Sequence, residues 1–170
     1  MIVPQSLSIK KYNTAFNKYP NEDCYLCLGD DNIPETPEWD VKLREEAGDY
    51  FVAYADDKLH GKPSHPCMGG EFVRSLGYVL NPILGHFFAD NVIEDIARPL
   101  GLLRFRDDII IRHLHFTITG DYDQACKERG SPDIDELIYE TWAKDQKQKD
   151  IERVKKGIAE FRLAHTTADL

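Results

Sequence analysis

Tyr25-Leu-Cys-Leu-Gly-Asp-Asp-Asn-Ile-Pro-Glu-Thr-Pro-Glu-Trp-Asp40 passes from an apolar run through a polar turn to a helix start. Tyr25 to Leu28 reads as a buried strand, and Gly29-Asp-Asp-Asn32 is too polar to be core and has the composition of a turn. Thr36 then suits an N-cap and Pro37 the first helical position. Trp39, Leu43 and Ala47 recur every four residues until Gly48 closes the helix. Tyr50 to Ala55 is a second apolar strand, ending at Asp56-Asp57. Strand, helix, strand is the unit from which the rest is read.

Upstream, Ile9, Tyr12, Phe16 and Tyr19 fall at helical intervals and predict a short amphipathic helix. Downstream, a Pro/Gly-containing loop from Gly61 to Gly70 leads to a short helix carrying Phe72, Val73 and Leu76, stopped by Gly77. Asp90 suits the N-cap of a helix with Val92, Ile93, Ile96 and Ala97 on its inner face, ended by Pro99. Ile109 to Thr119 alternates as a strand, with Ile111, His113 and His115 on one face. In the final charged helix, Ile151, Val154, Ile158 and Phe161 make a narrow apolar stripe suited to docking or to a partner helix. Helices alternating with strands predict an α/β fold, a mostly parallel sheet flanked by helices, with ligands bound beyond the carboxyl ends of the strands.

Composition bounds the function. The chain has 170 residues, 42% of them hydrophobic, so it can bury a core; the length suits one domain. Its formal net charge of −9 argues against nucleic-acid binding, which uses a basic face. No apolar run is long enough to span a bilayer, the N-terminus lacks a secretory pattern, and four scattered cysteines build no disulfide scaffold, so a cytoplasmic protein is expected. The charge is uneven. Residues 21–50 carry ten acids and two bases, whereas Lys144 to Arg162 carries seven bases and four acids. An anionic ligand in the acidic half needs a mediating divalent cation, because carboxylates alone repel phosphate.

Three groups of residues suit such chemistry. Asp30-Asp31 after a strand is a hard-oxygen pair fit for Mg²⁺ or Mn²⁺, although a turn alone accounts for Gly29 to Asn32 more simply. His113 and His115 stand about 6.6–6.8 Å apart along one strand face, close enough for both to approach one ion, or to be two ordinary strand histidines. Asp90 is a general base at the mouth of the sheet or an N-cap. Cys24-Tyr-Leu-Cys27 has chelate spacing, but positions i and i+3 of a strand face opposite ways, so these cysteines read as core.

Taken in order, Tyr25 to Asp40, Tyr54-Ala-Asp-Asp57, His65-Pro-Cys-Met-Gly-Gly-Glu-Phe-Val-Arg-Ser-Leu-Gly77, His86-Phe-Phe-Ala-Asp-Asn91 and Arg112-His-Leu-His115 resemble the GT-A-fold glycosyltransferases, family-2-like, of bacteria and phages. The similarity runs from about Ile2 to Asp123, five blocks in register. The resemblance implies transfer of a sugar from a UDP- or GDP-sugar to an acceptor hydroxyl, with Mn²⁺ or Mg²⁺. It implies that Asp31 of the DXD-type motif binds metal with His113 or His115, that Asp30 faces the ribose or diphosphate, and that Asp90 is the catalytic base. Asp56, His65, Met68, Gly69, His86 and Asn91 then line the sugar and acceptor pocket. Against the family pattern the chain enters at the third strand, so the N-terminal nucleotide-binding strands are expected to be missing. Residues 1–143 are expected to form the partial glycosyltransferase domain and 144–170 a charged helical tail open to self-association or a partner subunit. The alternatives are a non-catalytic remnant serving as a binding or assembly module, and a metal-dependent hydrolase built on His113, His115 and a carboxylate.

Overall fold

The computed structural model describes residues 7–59, 61–114 and 131–166. Helix α1 (Leu7–Lys18) is followed by strands β1 (Cys24–Leu26) and β2 (Asn32–Pro34), helix α2 (Trp39–Ala47), and strands β3 (Val52–Asp56) and β4 (Cys67–Gly69). Helices α3 (Gly70–Leu76) and α4 (Ala89–Ala97) come next, then a 3-10 turn (Arg98–Leu100), strand β5 (Leu103–His113), and helices α5 (Pro132–Asp145) and α6 (Lys147–Thr166).

The chain is mixed α/β, and among the described residues five strands lie in the order β1-β4-β3-β5-β2. Only β3 and β5 pair in parallel; β1/β4, β3/β4 and β2/β5 are antiparallel, where a mostly parallel sheet was expected. For β3 and β4 the reason is the link between them. Parallel neighbours need a crossover of a dozen or more residues, and 57–66 is too short to supply one. The directions still place β1, β3 and β5 alike, since β1 and β3 each run against β4 and β5 runs with β3. The carboxyl ends of β1, β3 and β5 therefore share one rim with the starts of β4 and β2.

β3 is central, with Val52, Ala53, Tyr54 and Ala55 all buried. One face packs Val52 and Met68 against Phe72, Val73 and Leu76 of α3 and Val92, Ile93 and Ile96 of α4. The other packs Ala53, Ala55, Cys67, Ile109 and Ile111 against Leu43 and Ala47 of α2. β5 begins six residues before the predicted strand, at Leu103, in a charged stretch that periodicity passes over. A register irregularity lies opposite Ala55 and Asp56.

Two helix starts also differ. The Thr36 hydroxyl accepts the Ile110 N–H at 2.8 Å and so ties β5 instead of capping α2, which begins after Glu38 in a left-handed conformation. α4 begins at Ala89 after Phe88 at φ 64°, so Asp90 occupies the first turn, not the cap. The apolar stripe expected to await a partner is turned inward. Ile151, Val154 and Ile158 of α6 and Trp142 of α5 belong to the same core as α3 and α4. Buried Asp150 joins the two helices, accepting from Trp142 Nε1 (2.9 Å) and from the Tyr78 hydroxyl (3.2 Å). No described helix is long and apolar enough to cross a membrane.

Candidate functional site

The shared rim brings together residues far apart in sequence. Asp31 Oδ2 stands 3.2 Å from His113 Nε2, across 82 residues of chain. Two backbone bonds hold the end of β5 between neighbouring strand ends: Leu114 N–H donates to the Asp31 carbonyl (2.8 Å) and His113 N–H to that of Asp57 (3.2 Å). The turn before Asp31 is real as well. Gly29 N–H donates to Asn32 Oδ1 at 2.7 Å, and a Cβ on Gly29 would lie 2.4 Å from Asp31 Oδ1. A side chain at Gly29 would displace the Asp31 carboxylate from where it folds back, so turn and carboxylate site are one feature.

Asp30 is exposed beside this pair. From α1 the Tyr12 hydroxyl donates to the Leu28 carbonyl nearby. Burial first, then the negative charge of neighbouring groups including Asp30 and Asp31, pushes that phenol up to about 12, so it stays a neutral donor. Asp56 turns away from the pair to Lys58, whose Nζ (2.6 Å) and backbone N–H (2.8 Å) hold its carboxyl below the ordinary range.

Asp57 is the inward member of its pair, 0% exposed, accepting the Leu59 N–H and the Ser64 hydroxyl, each at 2.8 Å. That last bond decides the state of His65. Ser64 has one hydroxyl proton and gives it to Asp57, so its oxygen accepts from His65 Nδ1–H at 3.3 Å. His65 Nε2 therefore keeps its lone pair. The side chain is 1% exposed, and Nε2 has no hydrogen-bond partner among the described residues. Burial lowers the imidazole pKa to about 4, against the pull of Asp57 and with the push of His113, so the ring is neutral at physiological pH.

Met68 is a core residue, fully buried beneath α3. Gly69 is required by a close approach, since a Cβ there would meet the Asp49 backbone at 2.3 Å. His86 is half-buried with its ring edge-on to Phe87. Asp90, on the first turn of α4, accepts the Asn91 N–H at 3.0 Å. Burial pushes its carboxyl above the ordinary aspartate value, opposed by that N–H and by the nearby Lys62 ammonium. His115 lies outside the described residues.

Asp31 and His113 offer a carboxylate and an imidazole to one cation, and no group of three or more His, Cys, Asp or Glu stands ready to hold a metal among the described residues. Two protein donors suit Mg²⁺ or Mn²⁺, which keep waters and take further oxygens from substrate phosphate. Sequence reasoning missed Asp57, Ser64 and Tyr12. The only signal for Asp57 was its place after β3, where successive side chains point to opposite faces and one of the two aspartates must turn inward. No protein-family model, curated protein or solved structure matches this chain.

Proposed function

We propose that this chain is a glycosyltransferase of GT-A type, moving a sugar from a UDP- or GDP-sugar to an acceptor hydroxyl with Mn²⁺ or Mg²⁺. One observation carries the reading: Asp31, from the acidic pair after β1, meets His113, from the His-x-His of β5, at the strand-end rim. Those are two of the residues that the family resemblance assigns to metal. Asp31 and His113 would hold a divalent cation, and the chemistry it would supply there is neutralisation of charge on a departing diphosphate. Asp31 and His113 hold that end of the ligand, and the neutral Tyr12 hydroxyl beside them adds no repulsion to a phosphate. Asp90 takes the acceptor's proton. A carboxyl raised by burial is a stronger base than an ordinary aspartate, and one nearer the working pH is the more effective catalyst.

The test is a thermal shift of the full chain with UDP and with GDP, with and without Mn²⁺. Stabilisation that needs both Mn²⁺ and one nucleotide, and is lost in Asp31→Ala and His113→Ala, is expected. No shift with either nucleotide across millimolar Mn²⁺ overturns the reading.

A further inference from the structure

We propose that Asp135 is a positioning residue for the α4 side of the site: its carboxylate clasps the turn Gly85-His86-Phe87 and thereby sets where Asp90 stands. The weight of this for catalysis rests on the glycosyl-transfer reading, in which Asp90 is the base. Three consecutive backbone N–H groups converge on this one side chain, Gly85 to Oδ1 at 2.7 Å, His86 to Oδ2 at 2.7 Å and Phe87 to Oδ2 at 2.8 Å. Asp135 is 1% exposed. A Cβ at Gly85 would lie 2.9 Å from its Oδ1 and 3.1 Å from its Oδ2, so any larger residue there pushes on the carboxylate.

The turn leads directly into α4 through Phe88, a non-glycine residue at φ 64° with no side-chain cap bond. Such a conformation is strained and persists only where its surroundings impose it. Here α5 imposes it from two sides. Asp135 grips the turn before Phe88, and Tyr139, one helical turn further on, stacks on the Phe88 ring with centroids 5.1 Å apart and 16° between planes. The far end of α4 is tied to the same hairpin, because Asp95 accepts the Tyr139 hydroxyl at 2.8 Å and pairs with Lys147 at 2.9 Å. α4 therefore has little freedom to choose its own start, and the first-turn Asp90 goes where the hairpin puts it. Among the described residues, the charged and titratable groups that act on Asp90 are Lys62 from the loop before β4, Glu94 on its own helix and Tyr139 from α5.

The experiment follows the Asp90 carboxyl by carbon NMR titration in the full-length chain. It compares wild type, Asp135→Asn, the milder Gly85→Ala, and Tyr78→Phe, which breaks a half-buried hydrogen bond to Asp150 in the same hairpin without touching the clasp. An asparagine cannot accept three N–H groups, so the turn opens and Asp90 gains water. Its titration is expected to move back toward the ordinary value of about 3.9 in Asp135→Asn and part of the way in Gly85→Ala, and to stay put in Tyr78→Phe. An Asp90 titration unchanged in both clasp variants, or shifted as much by Tyr78→Phe, overturns the proposal. Failure of both clasp variants to fold overturns it too, in favour of a plain structural anchor. The thermal shift with Mn²⁺ and UDP or GDP reads the Asp31 end, so its absence with both nucleotides sinks the transferase reading and leaves the placement of Asp90 standing.

Discussion

His65 concentrates the chemistry of the rim in one side chain. An orphaned buried acceptor costs about 1–3 kcal/mol; the Asp57–Ser64 relay fixes its tautomer, and burial keeps Nε2 from taking a proton. The consequence is a pH dependence of defined sign. In the unfolded chain the imidazole protonates near its ordinary 6.5; in the folded chain it stays neutral to about 4. Between those values the unfolded state binds more protons, so stability is complete above pH 6.5 and is lost as pH falls toward 4. The loss attributable to His65 is about 3 kcal/mol by pH 4. Urea denaturation across this range, comparing wild type with His65→Met, measures it. The variant should show a flatter profile, and parallel profiles would mean that His65 is not held neutral. At this scale Asp31 and His113 were legible because each sits in a local pattern with a chemical meaning. Asp57, Ser64 and Asp135 were not, because their partners come from other elements and nothing local marks a carboxylate as buried.

Among the elements, α6 shows how a correct pattern can be given the wrong neighbour. Ile151, Val154 and Ile158, three of the four residues of the predicted stripe, pack on the protein's own α3 and α4, while Phe161 is half-buried against His165. Gly157 makes the approach possible. A Cβ there would lie 1.9 Å from Ser75 Oγ and 2.7 Å from Ser75 Cβ, so the two helices touch at a glycine-to-serine contact. Gly157→Ala is therefore expected to destabilise by about 1–3 kcal/mol through overpacking, although alanine in an open helix gains about 1 kcal/mol over glycine. Ser75→Gly in the same chain should recover most of the loss. A double-mutant cycle by chemical denaturation checks this, and a stabilised single variant would show that the helices separate freely. Periodicity identifies the apolar face of a helix, but it carries no information about which surface covers that face.

Over the whole molecule, the C-terminal hairpin carries more of the fold than its composition advertises. Trp142, Ile151, Val154 and Ile158 complete the core over α3 and α4, while Asp135 and Tyr139 hold α4 from outside. Deleting residues 131–170 should expose Phe72, Val73, Leu76 and Val92 and abolish cooperative unfolding, which near-ultraviolet circular dichroism during a urea titration would reveal. A truncated chain with an intact, cooperative transition would show the hairpin to be an accessory. The formal charge of −9 divides unevenly, with ten acids against two bases in residues 21–50 and an excess of bases only in the stretch from Lys144 to Arg162.

By itself the sequence determined the mixed α/β character, the strand leading to Asp30-Asp31 and the amphipathic faces. Each of these rests on local periodicity or turn chemistry, which neighbouring residues specify. The tertiary structure alone decided that most strand pairings are antiparallel, that Asp57 rather than Asp56 faces inward, that the C-terminal stripe is core, and that Asp135 clasps the turn before α4. Those outcomes depend on which surfaces meet, and burial, not chain order, selects them.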